Sequence, residues 1–286
     1  MTGLTRFIQK IRRGSPAFAF GGYSFAVLYA LVIIIPLYFV LISAFKNNTQ
    51  IISTPLAFPP AFNFAKFIQA QASVHLFHAA LISAIITVGA EALTLILAFP
   101  AAYAVARIRS RLAAFVESIF YLGFLIPGLA ILMPIYMMVA KSGLLYNPIA
   151  LILIYPAFNL SLSIILLSSF MRKLPHELEE SAVMDGGNIL QIIFYIFVPI
   201  CMPGIITVLV LNFINIWNEY LFALILMDSD NRTIQLALAL LRANQRTVDF
   251  GLIAAGVVFS MIPVYIVFIL FQEKIMSGML MGAVKE

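Results

Sequence analysis

The sequence predicts an all-α integral membrane protein with six transmembrane helices, and three observations carry that prediction. Of the 286 residues, 63% are hydrophobic and only 10% charged, with a mean hydropathy of +1.06. Soluble domains run about 45–50% apolar and about 25% charged, so the composition is that of a membrane protein. Six apolar stretches reach the roughly 20 residues that a helix needs to cross the hydrocarbon core: Gly21–Phe45, Leu76–Ala106, Leu112–Ala140, Tyr146–Phe170, Ile196–Met227 and Phe250–Phe271. None of them alternates in the ten-residue pattern of an outer-membrane barrel.

Each element follows in order, with residues 1–286 read as a single membrane domain. The N-terminal segment 1–20 is basic, with Arg6, Lys10, Arg12 and Arg13, and leads into the first span. That apolar run is longer than the 7–15 residues of a signal-peptide core and has no clear A-x-A site, so it is expected to remain as an anchor. The segment Lys46–Gln71 holds Pro55, Pro59 and Pro60 and reads as an extended loop with one short helix. The second span carries Glu91 near its middle. An ionisable group at that depth is a functional candidate, and an interhelical hydrogen bond is the plainer reading. The third span holds Pro127, Gly128 and Pro134, and the fifth Pro199, Pro203 and Gly204. These residues free backbone groups and permit kinks.

Charge orients the chain. With the N-terminus in the cytoplasm, inside segments carry eleven of the 17 Lys and Arg residues: Arg6, Lys10, Arg12, Arg13, Arg107, Arg109, Arg111, Arg172, Lys173, Lys274 and Lys285. The outside segments carry Lys46, Lys66, Lys141, Arg232, Arg242 and Arg246. The bias places both termini inside, including the tail 272–286. Net charge +5 then reflects topology and requires no nucleic-acid partner. The single cysteine, Cys201, rules out an intrachain disulfide and reads as packing.

Between the fourth and fifth spans lies an acidic loop, 175–195, which opens with Pro175. Proline suits a first helical turn, and glutamates favour a helix N-terminus. Glu177, Glu180, Ser181 and Met184 share one face at i, i+3, i+4, i+7 spacing. Asp185-Gly186-Gly187 breaks the helix, and Asn188 can cap a second one that runs into the membrane. A loop whose acids only face water is the plainer alternative. In the fifth span Asn212, Asn215 and Glu219 follow i, i+3, i+7 spacing, with Trp217, Asn218 and Tyr220 beside them. Amides, a carboxylate and an aromatic face in an apolar wall have the chemistry of a sugar site, and packing or gating competes with that reading. His75 and His78 stand three apart without further ligands nearby, so no metal site is expected. No catalytic constellation emerges either.

From Glu180 the chain reads Glu-Ser-Ala, then Gly186, then Ile196-x-Val198-Pro199. This resembles the "EAA–G–I-x-LP" loop of permease subunits in binding-protein-dependent ABC importers, with Ser181 for the first Ala and Val198 for Leu. The stretches "AAYAVARIRSR" (101–111), "WNEYLFALILM" (217–227), "RTIQLALA" (232–239) and "FGLIAAGVVFSMIPVYIVFILFQEKIMSGMLMGAVKE" (250–286) are similar to carbohydrate-importer permeases of the maltose-transporter smaller-subunit type. The chain ends on Glu286 where that family usually has Gly. The resemblance implies the type I ABC importer permease fold, a multi-pass protein of the cytoplasmic membrane moving an oligosaccharide- or disaccharide-type solute by alternating access. It implies four kinds of partner: a second homologous permease, two ATPase subunits that bind ATP and Mg, an extracytoplasmic solute-binding protein and the sugar. Glu177, Glu180, Ser181, Ala182, Asp185 and Gly186 would form the coupling helix that docks on an ATPase. Asn212, Asn215, Trp217, Asn218 and Glu219 would be candidates for the translocation path. The chain has no G-x-x-x-x-G-K-[ST], so it holds no phosphate loop of its own and no cofactor is expected in it. The rival is a self-sufficient secondary carrier using Glu91 and Glu219, a class that often shows internal repeats not seen between these halves.

Overall fold

A computed structural model of the chain describes residues 16–108, 110–243 and 247–283, with side chains described for 22–108, 110–243 and 247–273. Arg6, Lys10, Arg12, Arg13, Arg109, Arg246, Lys285 and the terminal Glu286 lie outside the described residues, as does the side chain of Lys274. The described elements are all helical: α1 (Pro16–Ser43), α2 (Asn48–Ser53), α3 (Ala65–Val74), α4 (Leu76–Arg107), α5 (Arg111–Phe124), α6 (Leu132–Ser142), α7 (Pro148–Met171), α8 (Glu177–Met184), α9 (Ile189–Ile200), α10 (Met202–Trp217), α11 (Leu221–Leu226), α12 (Ile234–Ala243) and α13 (Phe250–Ala283).

Among the described residues, four helices are long and apolar enough to cross a membrane unbroken: Gly22–Ser43, Leu76–Arg107, Pro148–Met171 and Phe250–Glu273. The third and fifth expected spans are instead bent pairs, by 91° between α5 and Gly128–Ser142 and by 77° between α9 and α10. Their prolines explain the breaks. Pro127 sits in an extended conformation ahead of a 3₁₀ turn, Gly128–Ile131, and lacks the N–H that a continuing helix would use. Pro199 and Pro203 flank the bend at Cys201, which ends one helical run and starts the next. Just before it, Ile192–Phe197 forms wide π turns. The fifth expected span, read to Met227, closes its helix at Trp217; α11 is a separate element.

The chain forms two compact units, one of residues 1–70 and 245–258, the other of 71–244 and 259–286. In the first, the segment expected as a loop with one short helix holds two, α2 and the start of α3. Asn47 caps α2 through a reciprocal box with Gln50, satisfying two of its orphan N–H groups. Lys46 is buried, its Nζ donating to the carbonyls of Thr54 (2.9 Å) and Pro55 (3.2 Å). The Asn48 side chain donates to Val248 O (2.6 Å) and accepts from Phe250 N (2.9 Å), while Lys66 pairs with Asp249 at 2.5 Å. A Cβ at Gly251 would collide with the Lys46 carbonyl, so only glycine allows this approach.

In the second unit, α4 and α7 pack along their lengths over two apolar clusters. One gathers Ile86, Leu151, Tyr155, Ile216 and Leu226. The other gathers Phe99, Ile164, Leu167, Met171, Phe197 and Cys201, which confirms Cys201 as a packing residue. Asn147 caps α7 through Ile149 N (3.0 Å), with Pro148 at its first position.

Candidate functional site

The acidic loop folds as its chemistry dictates, with one shift of boundary. α8 begins at Glu177, so Pro175 lies ahead of the first turn instead of inside it. At the other end Gly186 adopts φ +80, and the N–H groups of Gly186 and Gly187 bond to the carbonyls of Val183 (3.0 Å) and Ala182 (2.8 Å). These are the two bonds of a Schellman C-cap, which satisfy carbonyls the helix leaves orphaned. A Cβ on Gly187 would approach the Ala182 oxygen to 2.9 Å, so the second glycine is needed for space and the first for its backbone angle. Asn188 then caps α9 in a box with Gln191, at 3.0 and 2.8 Å.

The faces of α8 are sharply divided. Glu177, Glu180, Ser181, Asp185 and Gly186 are exposed, and Met184 is 87% exposed. Ser181 also bonds back to the Glu177 carbonyl at 2.7 Å. Ala182 turns inward and packs on the second apolar cluster. Beside the turn, Asp185, Gly186, Gln191 and Tyr195 line a hollow of about 300 Å³. What fixes α8 to the body is Glu179, the one glutamate that the spacing analysis did not single out. Its carboxylate pairs with Arg107 Nε at 2.8 Å, and the Arg107 side chain is only 4% exposed. The same guanidinium donates to Leu174 O (3.0 Å) and lies 5.0 Å from the centre of the Phe197 ring. One arginine at the end of α4 thereby joins α4, the chain entering α8, α8 itself and the π turns of α9. Nearby, Arg172 pairs with Glu117 on α5 at 2.7 Å.

The polar residues of the fifth span do not form one stripe. Asn212 is fully buried and donates to Ser163 Oγ (3.0 Å) on α7 and Glu91 Oε1 (3.5 Å) on α4. Glu91 therefore makes an interhelical bond. Asn215 is exposed. Trp217 is buried, stacks on Phe213 with ring centres 5.6 Å apart and donates to Ser260 O (3.2 Å). Asn218 is exposed and accepts from Gln235 at 3.2 Å. Because the helix ends at Trp217, Glu219 leaves the i, i+7 register and becomes the cap of α11. Its carboxylate accepts from Phe222 N (2.8 Å), Ala223 N (3.2 Å) and the Tyr155 hydroxyl (2.7 Å). Only Asn215 and Asn218 of the five candidates present exposed amides.

Comparison with known proteins adds an independent line. The sequence model of the family described as "Binding-protein-dependent transport system inner membrane component" matches residues 94–280. A putative ABC transporter permease protein from Caldicellulosiruptor is 33% identical over 92% of this chain and 96% of its own length. The diacetylchitobiose uptake system permease protein of Streptomyces coelicolor is 29% identical over 93% and 88%. Among solved structures, a chain of a bacterial ABC transporter that imports alginate superposes with a TM-score of 0.78 at 21% identity, covering 91% of this chain and 98% of that one. At that identity the superposition speaks for the fold alone.

Proposed function

The chain belongs to the family of binding-protein-dependent transport system inner membrane components, and from that premise we propose that it is the pore-forming permease subunit of an ATP-driven sugar importer. It works in this reading with a second homologous permease, two ATPase subunits that hold ATP and Mg, and an extracytoplasmic binding protein. It moves an oligosaccharide- or disaccharide-type solute by alternating access, with both termini cytoplasmic. The diacetylchitobiose relative supports a carbohydrate cargo.

The observation that carries the reading is α8. It is a short helix closed by its Schellman C-cap that presents an exposed acidic face outward and is held on its inner side by Arg107. Such a handle passes on a rigid-body movement, because packed elements switch between arrangements and do not stretch. Glu177 and Glu180 meet basic groups of the ATPase, Gly186 makes the turn, and Ala182 allows close approach to the body. The exposed amides of Asn215 and Asn218 are the groups of the fifth span that reach a solute. Glu91 and Glu219, the residues a secondary carrier would titrate, are both engaged in holding helices together.

The test is purification from the native membrane in mild detergent, followed by reconstitution. An ATPase and a second permease should copurify, and uptake should stop when the ATPase is inactivated even under a proton gradient. Gradient-driven accumulation by this chain alone would refute the assignment.

A further inference from the structure

The exposed amide of Asn218 is not free to turn. The Ile214 carbonyl can only accept, and it takes both the Asn218 backbone N–H (3.2 Å) and Asn218 Nδ2 (2.9 Å). Oδ1 is thereby turned away from α10, where it accepts from Gln235 Nε2 at 3.2 Å. A side-chain amide has its donors on one atom and its acceptor on the other, so the orientation of Gln235 is fixed in turn. Gln235 Oε1 has no partner among the described residues, and each amide keeps one N–H beyond the bonds named. The pair is not what holds α12 in place. Ile234 N donates to the buried Ser83 Oγ of α4 at 2.8 Å, and Ile234, Leu236, Ala237 and Leu241 are buried around Gln235. A bond between two solvent-facing amides adds little to that, because water offers the same partners.

We propose that Gln235 is a specificity-determining residue of the transport path, which contacts the cargo itself and fixes the edge that Asn218 shows to it. The inference rests on the importer reading above and adds to it a residue on α12, outside the fifth span. One cargo hydroxyl accepts from the remaining Asn218 N–H, and its neighbour donates to Gln235 Oε1. Adjacent hydroxyls on a sugar ring suit such a pair, since each hydroxyl can both donate and accept. Asn218 still bonds back to Ile214, so it stays in register with Asn215 one turn earlier, and the exposed Asn215 amide extends the row. The row carries no charge. The nearby Glu219 carboxylate is taken by Phe222 N, Ala223 N and the Tyr155 hydroxyl, so an ionised cargo group finds no counter-ion here. The chemistry selects neutral hydroxyls, and the buried side of α12 holds Gln235 in position to read them.

The test uses the protein purified with its associated subunits, in proteoliposomes with ATP inside and the binding protein outside. Uptake of radiolabelled maltose, cellobiose and diacetylchitobiose is measured together with ATP hydrolysis. Gln235→Met keeps the length of the side chain and removes its amide, at a half-exposed position that tolerates the change. For the sugar that wild type carries best, uptake per ATP hydrolysed should fall about fivefold in this variant, the effect of one lost hydrogen bond. Monodeoxy analogues of the same sugar then show whether the contact is direct. At one ring position, loss of the hydroxyl should lower the ratio several-fold in wild type and no further in Gln235→Met, which is the mark of two groups that meet. An unchanged ratio in Gln235→Met would overturn the proposal. So would a fall in uptake that only tracks a fall in ATP hydrolysis, which would make the pair structural, or deoxy losses equal in the two proteins at every position. A wild-type complex that carries none of the three sugars would overturn the disaccharide reading and this inference with it, whereas the other outcomes bear on Gln235 alone.

Discussion

Arg107→Met should loosen α8 without unfolding the membrane helices. Methionine keeps most of the apolar stem but removes the charge that meets Glu179 at 2.8 Å and the N–H that meets Leu174 O at 3.0 Å. A hydrogen bond from a charged donor contributes about 1.5–3 kcal/mol, and breaking a buried ion pair by removing one partner costs about 3–5 kcal/mol. Glu179 is 18% exposed and recovers part of its hydration, so a net loss of about 3 kcal/mol in the local stability of α8 is the reasonable value. At 1.4 kcal/mol per factor of ten this is about a hundredfold faster amide exchange. Hydrogen exchange read by mass spectrometry should show it over residues 177–184, with α4 and α7 unchanged. Part of the loss comes from an abandoned carboxylate, so Arg107→Met with Glu179→Gln should exchange more slowly than Arg107→Met alone. Unchanged exchange in the single variant, or a double variant worse than the single, would refute the anchoring role.

Three further outcomes follow from the same geometry. Gly186→Val forces a β-branched residue to φ +80, costing about 1–2 kcal/mol; like the exposed charge reversal Glu180→Lys, it should leave insertion intact while ATPase copurification and uptake are lost. Glu219→Ala removes the cap of α11 and strands the Tyr155 hydroxyl, which should lower stability by about 1–2 kcal/mol, visible as a lower thermal midpoint; Glu219→Gln should restore most of it. Asn215→Leu changes an exposed amide, so assembly and basal ATPase rate should persist while uptake falls, and unchanged uptake would move the solute path elsewhere.

Much of this architecture could be read in advance, for reasons that differ from element to element. The apolar stretches were visible because length and composition alone decide what crosses a membrane. Gly186 and Asn188 were visible because turn and cap chemistry is local, needing only a few neighbouring residues. The breaks at Pro127 and Pro203 were foreseeable as weak points, but proline does not state whether a helix curves or folds back by 91° or 77°. Glu219 was misplaced because a spacing rule assumes a continuous helix, and the helix ends two residues earlier. Glu179 was passed over because its partner lies 72 positions away at the end of another helix. A clue existed in the face opposite Glu180, which had to meet the body, and in Arg107, which closes the apolar run of α4. Asn212 joined Glu91 and Ser163 through tertiary packing, and no periodicity carries that information.

The Asn48 bonds have a consequence for biosynthesis. They join residues 200 and 202 positions apart, and the Lys66–Asp249 pair spans 183. The first unit is therefore discontinuous, built from the start of the chain and from a segment that leaves the ribosome near the end of translation. Chains are made from the N-terminus at about 5–20 residues per second, so the 44–70 segment waits on the order of ten seconds or more for its partner strand of sequence. During that interval the close approach of Gly251 to the Lys46 carbonyl does not exist. A ribosome stalled before residue 247 holds a chain whose second unit can already pack α4 against α7, while its first unit cannot be completed. The last helix to be inserted is the one that closes the first unit.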